Sequence, residues 1–389
     1  MYDYLKTVPL IDTHVHRVHP SREPEFGQIA GGYIPGPGQE KHARQTLLYG
    51  MIMRELGKYY GMPAESTLEQ IEQERHRRFW LDPVSYMKNL YAQGNVAMYC
   101  FEIGSPLRGK AFTEEEIAYF NEAIPNEKRC CIVRIERSVD ETLEKGLPFP
   151  EFLDVFEKDL CKRIEQEQAI ALKSSIAYYG GLNFVFASDK AASQAYEKIR
   201  NRIGTEEDEK ILYAYTLMIG VEVAVRYEIP IQIHTGAGGG SYLDFKSFNP
   251  IGMTDFFRDS RILNRARIVL LHGGHPHEED VSFLTAQYSN VYADCSGTFF
   301  LCSLNGVNRL RALMERTPMD KLMYGSDGVM VPETSWFAAG YFRRLLATTL
   351  NQLIHEGIVD EVRAQAIGKM ILYDNAINCY SKLKQRLKG

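Results

Sequence analysis

The chain contains no apolar run of the roughly 18 residues that a membrane-spanning helix needs. Its longest candidate, near Leu217 to Val225, is broken by the charge of Glu222. The opening Met1-Tyr2-Asp3-Tyr4-Leu5-Lys6 lacks the apolar core of a signal peptide. Long basic runs are missing too: 45 Lys and Arg stand against 50 Asp and Glu, a net charge of −5. That balance argues against nucleic acid as a partner. Cysteine is sparse, with seven scattered residues that lack the spacing of a metal site. Cys130 and Cys131 are adjacent in an expected strand, so their side chains point to opposite faces. Reduced thiols in a cytoplasmic protein are the expectation. No internal repeat or low-complexity segment is visible, which sets aside solenoid and fibrous architectures.

What the chain does contain is a rhythm. The 45% hydrophobic content of its 389 residues supports a large core. Short apolar, β-branched runs recur at Val8–Ile11, Asn95–Ile103, Arg129–Ile135, Ala169–Ala177, Ile229–His234, Ala266–His272, Asn290–Cys295 and Lys321–Asp327. Amphipathic stretches separate them. Glu151–Glu167, for example, places Phe152, Val155, Phe156, Leu160 and Ile164 at helical spacing. Glu207–Tyr227 and Ser335–Leu353 behave alike. Alternation of strand and helix along a whole chain predicts a parallel sheet. Eight such units predict a closed (β/α)8 TIM barrel, one domain over residues 1–389.

One region breaks the rhythm. Residues 17–94 are too long for a loop and one helix. They begin with the Gly/Pro-rich Gly31 to Gly38, which is turn chemistry, and continue with helical patterns over Gln39–Tyr60 and Thr67–Trp80. We expect a mainly helical insertion after strand 1, on the C-terminal face, serving as a lid, a subunit contact or a structural cap. The tail from Asp360 to Leu387 reads as a plain helical ending.

In a barrel of this kind, chemistry sits at the C-terminal ends of the strands. The polar residues there are His14 and His16 after strand 1, Lys173 in strand 4, His234 after strand 5, His272 after strand 6 and Asp327 after strand 8. Two histidines at i and i+2 on extended backbone face the same way. A lone buried histidine is more often a satisfied core residue than a ligand, but this set converges on one axis. His14, His16, His234 and Asp327 supply three imidazole nitrogens and a carboxylate, a donor set suited to a catalytic divalent ion, Zn2+ first and Mn2+ second. Such an ion lowers the pKa of its water from about 16 toward about 7. Asp327 is then placed to move that water's proton, and His272 to polarise a carbonyl or act as general acid or base.

These motifs resemble the amidohydrolase superfamily: His-x-His after strand 1, histidines after strands 5 and 6, and Gly325-Ser326-Asp327 after strand 8. Within it, the likeness is to the amidohydrolase 2 group, which includes aminocarboxymuconate-semialdehyde decarboxylase. Leu172-Lys173-Ser174, Ala177-Tyr178, Gly181-Leu182, Gln232-Ile233-His234-Thr235-Gly236 and Pro332-Glu333 resemble the branch of nodulin and FluG-type N-terminal domains. The resemblance implies a metal-dependent hydrolase of small molecules. His14, His16, His234 and Asp327 match its metal ligands, and His272 its catalytic histidine. In members with two ions, a carboxylated lysine corresponding to Lys173 bridges them and His272 joins the second. We take the one-ion form as the expectation. Tyr179 stands where that branch often has an arginine that binds a substrate carboxylate. Hydrolysis of a C–N bond is the default reaction. The same site also suits C–C chemistry, either decarboxylation or hydrolysis of a cyclic diketone. A barrel that binds metal or ligand without turnover is the remaining alternative. Homo-oligomers are common among such barrels.

Other residues carry secondary expectations. Gly236-Ala237-Gly238-Gly239-Gly240 is either an anion-meeting loop or a hinge. Arg134 and Glu136 read as ion-pairing residues near the site, and His275 and His277 as peripheral. Trp80 and Trp336 read as packing, and Asp294 as an orienter of a catalytic histidine.

Overall fold

In the computed structural model, residues 1–18, 26–32, 38–104, 112–238, 243–297 and 303–387 are described. Eight strands form one sheet in sequence order: β1 (Leu10–His16), β2 (Val96–Glu102), β3 (Arg129–Arg134), β4 (Ala171–Ser174), β5 (Ile231–Ile233), β6 (Ile268–Leu270), β7 (Val291–Asp294) and β8 (Leu322–Met323). Every neighbouring pair is parallel. Backbone hydrogen bonds close the seam between the last strand and the first: Thr13 N–H to Tyr324 O at 3.2 Å, Asp327 N–H to His14 O at 2.8 Å and His16 N–H to Gly328 O at 2.8 Å. The result is a (β/α)8 barrel, as the strand count predicts.

Several strands are shorter than their apolar runs. Ala169–Ala177 contributes four residues to β4, and Ile176–Tyr178 turns into a 3-10 helix. The polar ends leave the sheet to form loops, which is what brings their side chains over the barrel mouth. The helices Phe149–Gln166, Glu206–Arg226 and Pro332–His355 match the three amphipathic segments to within a few residues.

Inside the barrel lie Ile11, Met98, Cys100, Cys130, Ile132, Ala171, Val269 and Met323, all at most 1% exposed. The chain's tail joins this cluster: Ala376, Cys379, Tyr380 and Leu383 pack against the same residues. Asn375 donates to the carbonyls of Met319 and Leu322, just before and within β8. The tail is therefore a plug across the N-terminal end of the barrel and not a plain helical ending. Helical periodicity cannot distinguish the two, since both bury one face.

The insertion holds the helices Phe26–Ala30, Glu40–Ala43, Leu47–Tyr60, Leu68–Leu81 and Pro83–Tyr91. Thr67 and Gln70 form a capping box at the start of the fourth. Of its Gly/Pro-rich stretch, residues 33–37 lie outside the described residues. It builds its own apolar cluster from Phe26, Ile52, Leu56, Ile71 and Phe79, completed by Val331, Phe337 and Ala338 from beyond β8. A bridge between Val18 and Met330 starts this contact. Arg75, fully buried between the rings of Phe26 and Phe79 at 4.2 and 4.5 Å, reaches Glu333 at 2.5 Å. Removing one member of such a buried pair costs about 3–5 kcal/mol. The insertion is thus anchored to the β8 side. Among the described residues, no helix is long and apolar enough to cross a membrane.

Candidate metal centre

β1 delivers His14 and His16 to the mouth of the barrel, and the loop after β8 delivers Asp327. The backbone there is held from below: Asp12 accepts the Ser326 N–H at 2.8 Å and fixes the loop that carries Asp327. Burial raises Asp12 to a pKa of about 7. Asp327 itself has φ 53°, a left-handed conformation rare for a residue with a Cβ.

The ligating atoms of His14, His16 and Asp327 all lie within 4.8 Å of one another. Asp327 Oδ1 is 3.5 Å from His14 Nε2 and 3.2 Å from His16 Nε2. Among the described residues, His14 Nε2 is buried without a hydrogen-bond partner. Burial, followed by Lys173, holds the His14 pKa well below the ordinary range, so this ring is neutral. Behind His16, Glu102 Oε2 stands 3.1 Å from Nδ1. Against the cost of burial, Asp327 and Glu102 raise the His16 pKa. Two carboxylates thus flank His16, an arrangement of charge that favours a cation at this end of the barrel. Two nitrogens and a carboxylate oxygen, converging and partly orphaned, meet the requirement of a divalent ion.

Glu102 is itself fully buried and held by Arg134 and by the Gly104 N–H. Burial opposes its ionisation, but Arg134 and His16 overcome that and bring its pKa to about 2. Arg134 is thus a core ion-pair partner, as its position suggests. Glu136 accepts from Ser174 Oγ and the Ser175 N–H.

His234 and His272 form a second group, across β5 and β6. Their nearest nitrogens, His234 Nδ1 and His272 Nε2, are 2.9 Å apart. The hydrogen bonds define the protons. Ser296 Oγ gives its hydrogen to Asp294 Oδ1 at 2.6 Å, so it accepts from His272 Nδ1 at 2.9 Å. His272 Nε2 is then a lone pair that accepts from His234 Nδ1–H, and His234 Nε2 carries a lone pair. Among the described residues, that atom is buried without a hydrogen-bond partner. Burial lowers His272 to about 4 and His234 well below the ordinary range. The chain backbone at His272, Gly273 and Gly274 is left-handed throughout, with φ of 65°, 55° and 65°.

The two groups meet at Asp327. His272 Nδ1 is 3.8 Å from Asp327 Oδ2, beyond hydrogen-bond range. Gly297, at φ 67°, leaves this approach open: a Cβ there would sit 3.0 Å from Asp327 Oδ2 and 3.3 Å from His272 Nδ1. Gly238 plays a similar part, since a Cβ would clash with Tyr178 Oη and lie 2.8 Å from His234 Nε2. Of the expected ligands, His234 is the one outside the compact group.

Lys173 is 2% exposed, and among the described residues its Nζ has no hydrogen-bond partner. Burial lowers its pKa to about 8, while Asp327 pulls the other way. The remaining expectations sort clearly. Asp294 serves His272 through Ser296 Oγ and through the His272 backbone N–H at 3.1 Å, without touching the ring. Tyr179 is structural: its hydroxyl donates to Asp140, as does that of Tyr213. His275 pairs with Glu278, and His277 lies near Asp280. Trp80 is 59% exposed beside Phe79, and Trp336 packs on Tyr59. The Gly-rich loop is tied to the β6 loop by the Ala237 N–H at 2.6 Å from His275 O, and Gly239 and Gly240 lie outside the described residues. The sequence motifs do not single out Glu102 or Ser296. Glu102 carried a usable signal, because it is a polar residue closing an apolar run like the others.

Comparison with known proteins gives the family and the fold. The amidohydrolase family profile matches residues 171–382, more than half of the chain, and the chain belongs to that family. The matched segment holds Lys173, His234, His272 and Asp327, while His14 and His16 precede it. Protein fluG of Emericella nidulans is 29% identical over 157 residues, which is 40% of this chain and 18% of that much longer relative. Among solved structures, a Lactobacillus casei protein provisionally assigned as a metal-dependent hydrolase superposes with a TM-score of 0.81 at 19% identity, covering 99% of this chain and 98% of the other. Uronate isomerase of Thermotoga maritima follows at 0.72 and 16%, covering 97% and 96%. Glucuronate isomerase of Caulobacter crescentus gives 0.69 and 13%, covering 98% and 92%. At these identities the structural likeness concerns the fold.

Proposed function

We propose that the protein is a metal-dependent hydrolase of a small-molecule substrate, with C–N bond hydrolysis as its reaction and the cytoplasm as its location. One divalent ion, zinc first and manganese second, would be held by His14, His16 and Asp327. The observation that carries this reading is the convergence of His14 Nε2, His16 Nε2 and Asp327 Oδ1 within 4.8 Å. A lone pair and a carboxylate oxygen at 3.5 Å repel unless a cation lies between them. His234 would join as fourth donor through Nε2, which among the described residues has no hydrogen-bond partner.

When bound, the ion supplies an acidified water and positive charge opposite a developing oxyanion. The protein's own groups do the rest. Asp327 is held below the ordinary carboxylate range: burial opposes this, but His272 and His16 outweigh it. It stays ionised and accepts the water's proton, which it passes to the leaving group. His272 is neutral, and Ser296 Oγ holds its Nδ1–H 3.8 Å from Asp327 Oδ2, at the edge of the space where a substrate would react. Glu102 and Gln232 hold the two β1 imidazoles from behind.

The test has two stages. Purified protein is expected to carry about one equivalent of metal, and His14→Ala with His16→Ala to carry none. A panel of amides, lactams, carboxylates and sugar acids then identifies the reaction by product. Ammonia or amine release supports hydrolysis. Carbon dioxide, or a product isomeric with the substrate, assigns the same site to decarboxylation or isomerisation instead.

A further inference from the structure

Tyr380 lies in the plug beneath the barrel, 366 residues away in sequence from His14. It is fully buried, and its hydroxyl is 2.7 Å from Gln232 Nε2. The same Nε2 is 2.7 Å from the backbone carbonyl of Thr13. On its other side, Gln232 Oε1 is 2.8 Å from His14 Nδ1. These contacts run in one column from the bottom of the barrel to its mouth.

The column has one consistent set of protons. The Thr13 carbonyl only accepts, so the amide atom facing it is the NH2 group, and the amide cannot be turned over without setting two oxygens against each other. Both hydrogens of that group are then used, one on Thr13 O and one on Tyr380 Oη. The amide oxygen faces His14, and His14 Nδ1 carries the hydrogen. The lone pair of His14 is left on Nε2, the atom directed at Asp327. An imidazole free to exchange tautomers places a hydrogen there for part of the time and blocks a cation.

We infer that Tyr380 is a positioning residue for the metal centre: through Gln232 it holds His14 in the tautomer that offers Nε2 to a cation. The proposal rests on the metal reading above, and it gives the C-terminal plug a function beyond filling the barrel. Partners behind a metal-ligating histidine are worth about 10–100-fold in affinity when lost. The hydroxyl of Tyr380 acts one step further back, so an effect of about tenfold is expected.

The experiment compares wild type, Tyr380→Phe, Gln232→Leu and Leu383→Ala. Leu383 is buried in the same plug; its backbone N–H donates to the Tyr380 carbonyl at 2.9 Å, a bond that alanine keeps, so truncating its apolar side chain reports on plug packing. Zinc affinity is measured by competition with a chromophoric chelator, and stability by urea midpoint. Histidine-15N NMR of the metal-free protein reads the His14 tautomer. Wild type is expected to show His14 protonated at Nδ1. Gln232→Leu and Tyr380→Phe are expected to weaken zinc by about 10–100-fold and about tenfold and to populate the Nε2–H form. Leu383→Ala is expected to lose stability and keep both zinc affinity and tautomer. The inference is overturned if Tyr380→Phe leaves zinc affinity and tautomer unchanged, or if Leu383→Ala weakens zinc as much. A wild-type protein that binds no zinc refutes the metal reading instead, and the tautomer measurement stands apart from that result because it needs no metal.

Discussion

The two sides of the barrel mouth use histidine in opposite ways. On the β1–β2 side, His16 sits between two carboxylates, which raise its pKa. On the β5–β6 side, His272 is held by a serine hydroxyl, a backbone carbonyl and another imidazole, and burial drives its pKa down to about 4. One side is built to concentrate positive charge, and the other to stay neutral. In the proposed reading the first side carries most of the cation binding, and the second supplies His272 for proton handling and His234 as a further donor, with Asp327 shared between them.

The harshest test of that division is to remove the shared residue. Asp327→Ala is expected to abolish bound metal, measured by elemental analysis after gel filtration, and to lower turnover by more than about 10³-fold. Metal retained at wild-type stoichiometry would show that the charged side binds nothing through this carboxylate. Next in size is His272→Gln, expected to keep its metal while turnover falls by about 10²–10⁴-fold. Loss of the metal in that variant would erase the distinction and place His272 among the ligands. Glu102→Gln keeps the shape behind His16 but removes its charge. Zinc affinity should fall by about 10–100-fold, read by chelator competition; an unchanged affinity would reduce Glu102 to a partner of Arg134.

The mildest test is titration of the metal-free protein. The folded His272 pKa of about 4 lies below its ordinary 6.5, so the unfolded chain takes the proton first. Its contribution, about 3 kcal/mol, is present above pH 6.5 and is lost as the pH falls toward 4. His16 runs the other way: its contribution is present below pH 6.5 and is lost as the pH rises through its raised value. NMR titration of the imidazole C–H signals should separate the two rings on either side of 6.5. Coincident midpoints would remove the contrast.

Much of this was legible before any coordinates. Apolar runs of four to nine residues mark strands because each must bury both faces in a parallel barrel. The residues closing those runs lie at the mouth, and His14, His16, His234, His272 and Asp327 were visible on that rule. Glu102, the last residue of β2, obeys it equally. Ser296 could not be read at all. It matters only because the β7 loop brings it within 2.9 Å of a residue from the β6 loop.

Sequence by itself determined the barrel, the eight strand positions, the insertion and the inventory of polar groups at the mouth. These follow from local periodicity and from the need to bury apolar surface. Only the tertiary structure decided which groups meet: that His14, His16 and Asp327 form one cluster, that His234 pairs with His272, and that the tail reaches His14 through Gln232. Such contacts join residues up to 366 apart in the chain. Their proton positions depend on distances of a few tenths of an ångström, which side-chain packing sets and no local pattern records.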